Sequence, residues 1–248
     1  MRTIYVLWLR QIKRYLRSKS RIVGSLGQPL LFMLALGFGF GPIFQKAGAG
    51  NYIEFLAPGI IAQGILFTAM FSGTEIIWDR QFGFLKETLV APVSRMEIMI
   101  GRTIGGATIA TLQGAIIFIL SLLVGFKPSD ISSVLSSFFV VFLIAILFTA
   151  TGTAIASTLD DFQGFQLIMN FLIMPMFFLS GALFPLNNLP PFIINISKIN
   201  PLTYGVDGLR ATLTGSSHFG LKTDILILSI ITSIVLAVGS YLFSKIEV

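Results

Sequence analysis

Few residues in this chain of 248 could do covalent chemistry, and they do not assemble into a catalytic centre. His218 is the sole histidine and lies in a polar run, Gly215-Ser-Ser-His-Phe-Gly220, where a solvated loop residue is the expected role. The chain has no cysteine, so it offers neither a thiolate nucleophile nor a disulfide frame. From Gly215 to Thr223 the sequence approaches a phosphate-binding glycine loop. Leu221 adds one residue too many before Lys222, and no strand precedes it. Asp160-Asp161 could meet a cation, but two carboxylates without a histidine or further acids make a poor ligand set. The expected role there is a helix cap, with Asp160 as N-cap and Gln163 completing a box. Neither nucleotide hydrolysis nor covalent catalysis is therefore expected of this chain.

What remains is chemistry of charge. Trp78 to Arg102, WDRQFGFLKETLVAPVSRMEIMIGR, carries four basic residues (Arg80, Lys86, Arg95, Arg102) and three acidic ones (Asp79, Glu87, Glu97). Long charge-free runs flank it on both sides. A charged island between apolar spans must emerge into water, and it is read here as the place where another protein's push is received. The pattern predicts a short helix within Gln81–Val90, ended by Ala91-Pro92, because the residue before proline disfavours the α region. Ser94 then caps a second helix, with Glu97 three residues on.

The elements that hold this island follow from composition. The chain is 54% apolar and 11% charged, against about 25% charged in soluble domains, so its solvent is lipid. Six charge-free intervals, 22–45, 55–74, 103–126, 131–159, 162–197 and 225–244, exceed the roughly 18 residues that mark a membrane helix. The runs are apolar on all sides, unlike the alternating strands of about ten residues in a barrel. The expected fold is an all-α integral membrane protein with six spans, near 24–44, 57–77, 100–124, 135–157, 164–184 and 225–244. Gly101 and Gly105 make a G-x-x-x-G, a close-packing face. Pro175 is expected to kink the fifth span beside Asn170.

Residues 3–21 are expected to form an amphipathic interfacial helix. Arg10, Lys13, Arg14, Arg17 and Arg21 fall on one face, and Ile4, Trp8, Ile12, Tyr15 and Leu16 on the other. With the N-terminus inside, cytosolic segments hold twelve of the 17 Lys and Arg, and both termini lie in the cytoplasm. That distribution argues for a lipid surface and against nucleic acid as the basic chain's partner. Glu75 lies near the cytosolic end of span 2, within reach of water or of the basic N-terminal helix. Between spans 5 and 6, residues 185–224 form an unusually apolar outer segment. Pro190-Pro191 opens one short helix and Asn200-Pro201 another, with Asp207 and Arg210 spaced to pair. Apolar half-helices of this kind read as re-entrant.

Two stretches carry a family resemblance. FFLSGALFPLNNLPPFI with INPLTYGVDGLR resembles the signature of type-2 ABC exporter permeases, and FGFLKETLVAPVSR looks like the segment that follows their second span. The likeness covers nearly the whole chain, read as one transmembrane domain over 1–248. It implies a dimer of permeases, identical or not, bound to two separate ATPase subunits that hold ATP and magnesium, with no cofactor in this chain. It implies that the interfacial helix (Trp8, Arg10, Lys13, Arg14, Arg17) and a coupling segment over 78–102 rest on those subunits. Arg80, Lys86, Glu87 and Arg95 would dock and Phe82, Phe84 and Leu85 would pack, with Pro92 closing the helix and Asp160 and Asp161 as a lesser contact. Spans 2 and 5 would line the cargo path through Gln63, Phe67, Phe71, Asn170 and Phe177. Pro190, Asn200, Pro201, Tyr204, Asp207 and Arg210 would shape the outer re-entrant hairpin. Lys86 departs from the family pattern, which has a small residue there. The cargo implied is a hydrophobic or amphipathic drug, lipid or glycan. A self-sufficient channel or ion-coupled carrier is the alternative, but it calls for a charge deep in a span. A lipid-modifying enzyme calls for clustered histidines or carboxylates. The spans offer Gln63, Gln113 and Asn170 instead.

Overall fold

Four side chains mark where helices begin. Asn51 Oδ1 accepts from Ile53 N at 3.0 Å, Ser94 Oγ from Glu97 N at 3.1 Å, Asp161 Oδ1 from Gly164 N at 2.6 Å and Asn200 Oδ1 from Leu202 N at 3.0 Å. Each satisfies a donor that the first helical turn leaves open. The computed structural model describes residues 2–47, 50–90, 93–186 and 189–246. Among these there is no strand. The helices run α1 (Arg2–Arg17), α2 (Lys19–Lys46), α3 (Tyr52–Phe71), α4 (Thr74–Gln81), α5 (Phe84–Val90), α6 (Arg95–Val124), α7 (Ile131–Ser157), α8 (Phe162–Phe178), α9 (Pro191–Ile199), α10 (Pro201–Thr214) and α11 (Leu221–Ser244).

The core is built around α3, which is apolar on every side and buried from Leu56 to Leu66, as a helix without a polar face must be. It packs against α2, α6, α7 and α10, and α11 closes the body against α7. Close crossings use glycine. A Cβ on Gly152 of α7 would overlap the Met70 carbonyl oxygen at the end of α3, and one on Gly73 would overlap the carbonyl oxygen of Gly152 itself.

Among the described residues five helices are long and apolar enough to cross a membrane: Lys19–Lys46, Tyr52–Gln81 (α3 continued into α4 through a bend at Ser72-Gly73), Arg95–Val124, Ser132–Ser157 and Leu221–Ser244. The sixth expected span differs. α8 has 17 residues and stops at Phe178 rather than reaching 184, so at about 1.5 Å per residue it falls short of a hydrocarbon layer of about 30 Å. Pro175 lies in its last turn, not at mid-helix. Beyond it, Asn200 Nδ2 donates to Met176 O at 2.6 Å and Ser180 Oγ to Phe177 O at 2.7 Å, supplying donors to carbonyls left open at the helix end.

The N-terminal helix also differs from expectation. It ends at Arg17, and residues 19–21 open α2. Its buried side is Leu7, Gln11 and Tyr15, set against α6, whereas Leu16 is exposed. The G-x-x-x-G of α6 makes this crossing. Ideal Cβ atoms on Gly101 and Gly105 would press on Leu7 and Gln11, respectively. The expected cap of α8 moves by one residue, from Asp160 to Asp161.

Candidate functional site

The charged island folds as a bend between α4, α5 and α6 at one end of the body, and its charges are largely spent inside the chain. Asp79, 5% exposed, accepts from Arg10 Nη2 of α1 at 3.1 Å and from Arg102 Nη2 of α6 at 2.6 Å. One carboxylate thus joins three helices, and Arg102 is itself 4% exposed. Arg80 pairs with Asp160 and also donates to Leu159 O at 3.0 Å and Ser157 O at 3.3 Å, which ties α4 to the turn between α7 and α8. Arg95 Nη1 donates to Ser244 O at 2.6 Å and Ile246 O at 2.8 Å, which ties the start of α6 to the end of α11. Arg21 meets Glu75 at 3.6 Å, so the basic N-terminal segment does reach that acid. Arg80 and Arg95, expected to face a partner, have internal acceptors instead.

The rest of the island faces outward. Phe82, Phe84 and Glu87 are exposed, as is Trp78. Of the three residues expected to pack, Leu85 alone is buried. Gly83 takes φ +78° and turns the chain between α4 and α5. The side chain of Lys86 and the whole of Pro92 lie outside the described residues. Between α1 and this bend runs a cleft of about 600 Å³, lined by Arg10, Lys13, Arg14, Trp78, Phe82 and Phe84 among others. The Arg14 guanidinium lies 5.9 Å from the Trp78 ring centre, and that of Arg10 lies 5.9 Å from Phe84. α1 is held beneath by Trp8 Nε1, which donates to Thr108 Oγ1 at 3.1 Å, and by Tyr15 OH, which donates to Gln113 Oε1 at 2.7 Å. Burial raises the Tyr15 phenol above its usual value, so it keeps that proton at neutral pH.

At the opposite end, α9 and α10 are pinned by their own caps and by long-range bonds. Pro190 and Asn200 are the N-caps, with Pro191 and Pro201 in the first turns. Tyr204 OH donates to Lys198 O at 2.7 Å. The expected Asp207–Arg210 pair does not form. Asp207 accepts from Ser217 Oγ, His218 N and Phe219 N at 2.8–2.9 Å and so holds the loop after α10. Those loop donors are fixed by the tight turn, and they outcompete a neighbour on the same helix. Arg210 turns the other way. Its guanidinium lies 4.0 Å from the Phe55 ring centre and donates to Gly181 O at 3.1 Å. Burial lowers its pKa to about 10, an effect Asp207 partly offsets, so it stays charged near neutrality.

The five residues expected along a path separate into three places. Gln63, Phe67 and Phe71 of α3 line one cavity of about 220 Å³ under the junction of α1 and α2. Phe177 is buried and stacks on Phe32 of α2 at 6.2 Å. Asn170 lies on the exposed face of α8. Sequence reading missed the Asp79–Arg102 tie and the Tyr15–Gln113 bond. The signal for the first was present, since opposite charges close to the two ends of the island sit where two helices must enter the body side by side. The second joins residues 98 apart, and nothing local announces it.

Among the described residues no group of three His, Cys, Asp or Glu could hold a metal ion. A charged bend is here stitched into a body of helices long and apolar enough to cross a membrane. Comparison with known proteins says which family this body belongs to. The chain is 30% identical over 221 residues to the transport permease ycf38 of Cyanophora paradoxa, covering 86% of this chain and 75% of that one. It is 28% identical over 206 residues to nodulation protein J of Rhizobium meliloti, covering 82% and 78%. It is 26% identical over 219 residues to the inner membrane transport permease YadH of Escherichia coli K12, covering 88% and 85%. Residues 2–214 match the family model for ABC-2 type transporters, so the chain belongs to the ABC-2 type permeases, multi-pass membrane proteins of transport.

Proposed function

We propose that this permease is the membrane-spanning subunit of an ATP-driven exporter, working as a dimer and powered by separate ATPase subunits that bind ATP and magnesium. Both termini and the α4–α5–α6 bend lie on the cytoplasmic side of the cell membrane. α8, extended by the buried chain of Ser180 to Leu183 that follows it, completes a set of six spans, and α9 with α10 forms an outer re-entrant hairpin. The cargo is hydrophobic or amphipathic.

The observation that carries this reading is the division of labour in the island. Asp79, Arg80 and Arg95 fix it from inside to α1, α6, α7, the turn before α8, and α11. Its aromatic rings and the basic face of α1 stay outside, around a cleft. A segment rigid toward its own body and adhesive outward moves as a lever when a partner pushes it. Docking then falls to Phe82, Phe84, Lys86 and Glu87 with Lys13, Arg14 and Arg17, while Arg80 and Arg95 act as clamps.

Co-expression with the ATP-binding subunit encoded beside it tests the proposal. A stoichiometric complex that hydrolyses ATP is expected, weakened by Phe84→Ala and by exchange of the charges at Lys86 and Glu87. A stable chain that captures no ATPase, or a complex indifferent to those changes, overturns it.

A further inference from the structure

The cavity beneath the junction of α1 and α2 is a mostly apolar enclosure with a polar patch, and the lever does not use it. It is about 220 Å³ in volume, bounded by the last turns of α1, the first turns of α2 and the middle of α3. Arg21 is the one charged residue among those that line it, and Glu75 neutralises it at 3.6 Å. The remaining polar lining is amide and hydroxyl: Gln28, Gln63, Ser25 and Thr68, beside the Tyr15 phenol. Gln63 is 1% exposed, and neither its amide oxygen nor its nitrogen has a hydrogen-bond partner among the described residues. Leaving a buried primary amide unpaired is costly, and leucine would fill the same space without that cost. A glutamine kept there points to a molecule that supplies the missing partners. Phe67 and Phe71 stack at 6.3 Å along the same wall and offer an apolar surface beside the amide.

We propose that this cavity receives the uncharged, hydrogen-bonding headgroup of an amphipathic cargo, with Gln63 as its selecting residue. The inference rests on the transport reading and names the headgroup class it carries. A cationic headgroup finds no free anion here. An anionic one must compete with Glu75 for Arg21. An alcohol or amide headgroup meets the unused donors and acceptors of Gln63, while its apolar part lies against Phe67 and Phe71.

The test uses the full chain in phosphatidylcholine nanodiscs, alone and with its ATPase subunit. Three photoreactive probes share one diazirine-bearing alkyl chain and differ in headgroup: a glucoside, a phosphate and a trimethylammonium. Adducts are mapped by peptide mass spectrometry. The glucoside is expected to label α2 and α3 around Gln28 and Phe67 well above the other two. Gln63→Leu should lower that labelling about five- to tenfold, the loss of one hydrogen-bonded amide, while melting no lower than the wild type. Thr68→Phe, which fills the cavity, should abolish it. Equal labelling by all three headgroups, labelling unchanged in both variants, or a Gln63→Leu protein that melts well below the wild type overturns the proposal. ATP added before irradiation should lower the labelling of the complex if the headgroup belongs to cargo. Labelling that ATP leaves unchanged marks a resident lipid of the same chemistry and overturns the cargo assignment. Failure to form any ATP-hydrolysing complex sinks the transport reading instead, and the headgroup preference of the chain alone still decides the cavity.

Discussion

Asp79 shows how much one buried carboxylate can organise. Its two oxygens engage Arg10 and Arg102 from different helices, and removing it leaves Arg102 charged and buried. Breaking a buried pair from one side costs about 3–5 kcal/mol, so Asp79→Ala should lower unfolding stability in detergent by that order, with Asp79→Glu recovering part of it. Tyr15 gives a pH-dependent test. Its folded pKa is raised above the ordinary 10.0 by burial, so its contribution is full below pH 10 and is lost as pH rises through the folded value. Wild-type stability should therefore fall relative to Tyr15→Phe above pH 10. Taking the difference between the two proteins cancels Arg210, whose lowered pKa acts with the opposite sign. The residue types at these points were legible in the sequence, and their partners were not. An island of mixed charge states that pairs will form. Which acceptors Arg80 and Arg95 find depends on where α7, α8 and α11 end in space, and no local spacing encodes that.

At the scale of helices, boundaries were easier to read than crossings. Capping residues act within one turn, so Ser94, Asn200 and the proline-opened helices came out as read. The α8 cap moved from Asp160 to Asp161 because Arg80 claims Asp160 from another helix. The length of α8 differs from the expected span for a related reason. Absence of charge over 162–197 permits a span but does not require a helix, and Pro175 with Gly181 ends it early. Glycine crossings separate two kinds of cost. On Gly152 a new Cβ meets the backbone carbonyl of Met70, which cannot step aside. On Gly105 it meets the flexible end of Gln11. Gly152→Ala should cost about 1–3 kcal/mol as overpacking, and Gly105→Ala well under half of that, in thermal unfolding of the two variants side by side.

For the whole molecule, the informative surface is that of α8. Its inward stripe of Phe165, Met169, Ile173 and Phe177 is fully buried, while Leu167, Phe171 and Phe178 face out, Phe171 at 83%. Assigning this exposed apolar face of α8 to the partner protomer of the proposed dimer, Phe171→Arg should convert dimers to monomers, measured by mass photometry in nanodiscs. An equivalent change at Leu226 on α11, also exposed, should leave the dimer intact.

The bonds of α1 also carry a statement about time. Trp8 and Tyr15 reach partners 100 and 98 residues further along the chain. At about 5–20 residues per second, a ribosome needs roughly 5–20 s to make that distance. α1 thus leaves the ribosome well before its seat on α6 is made, and for those seconds it needs somewhere to wait. Its arginines and its tryptophan suit the headgroup layer. The amphipathic pattern so conspicuous at the N-terminus serves the nascent chain's waiting period as much as the finished fold.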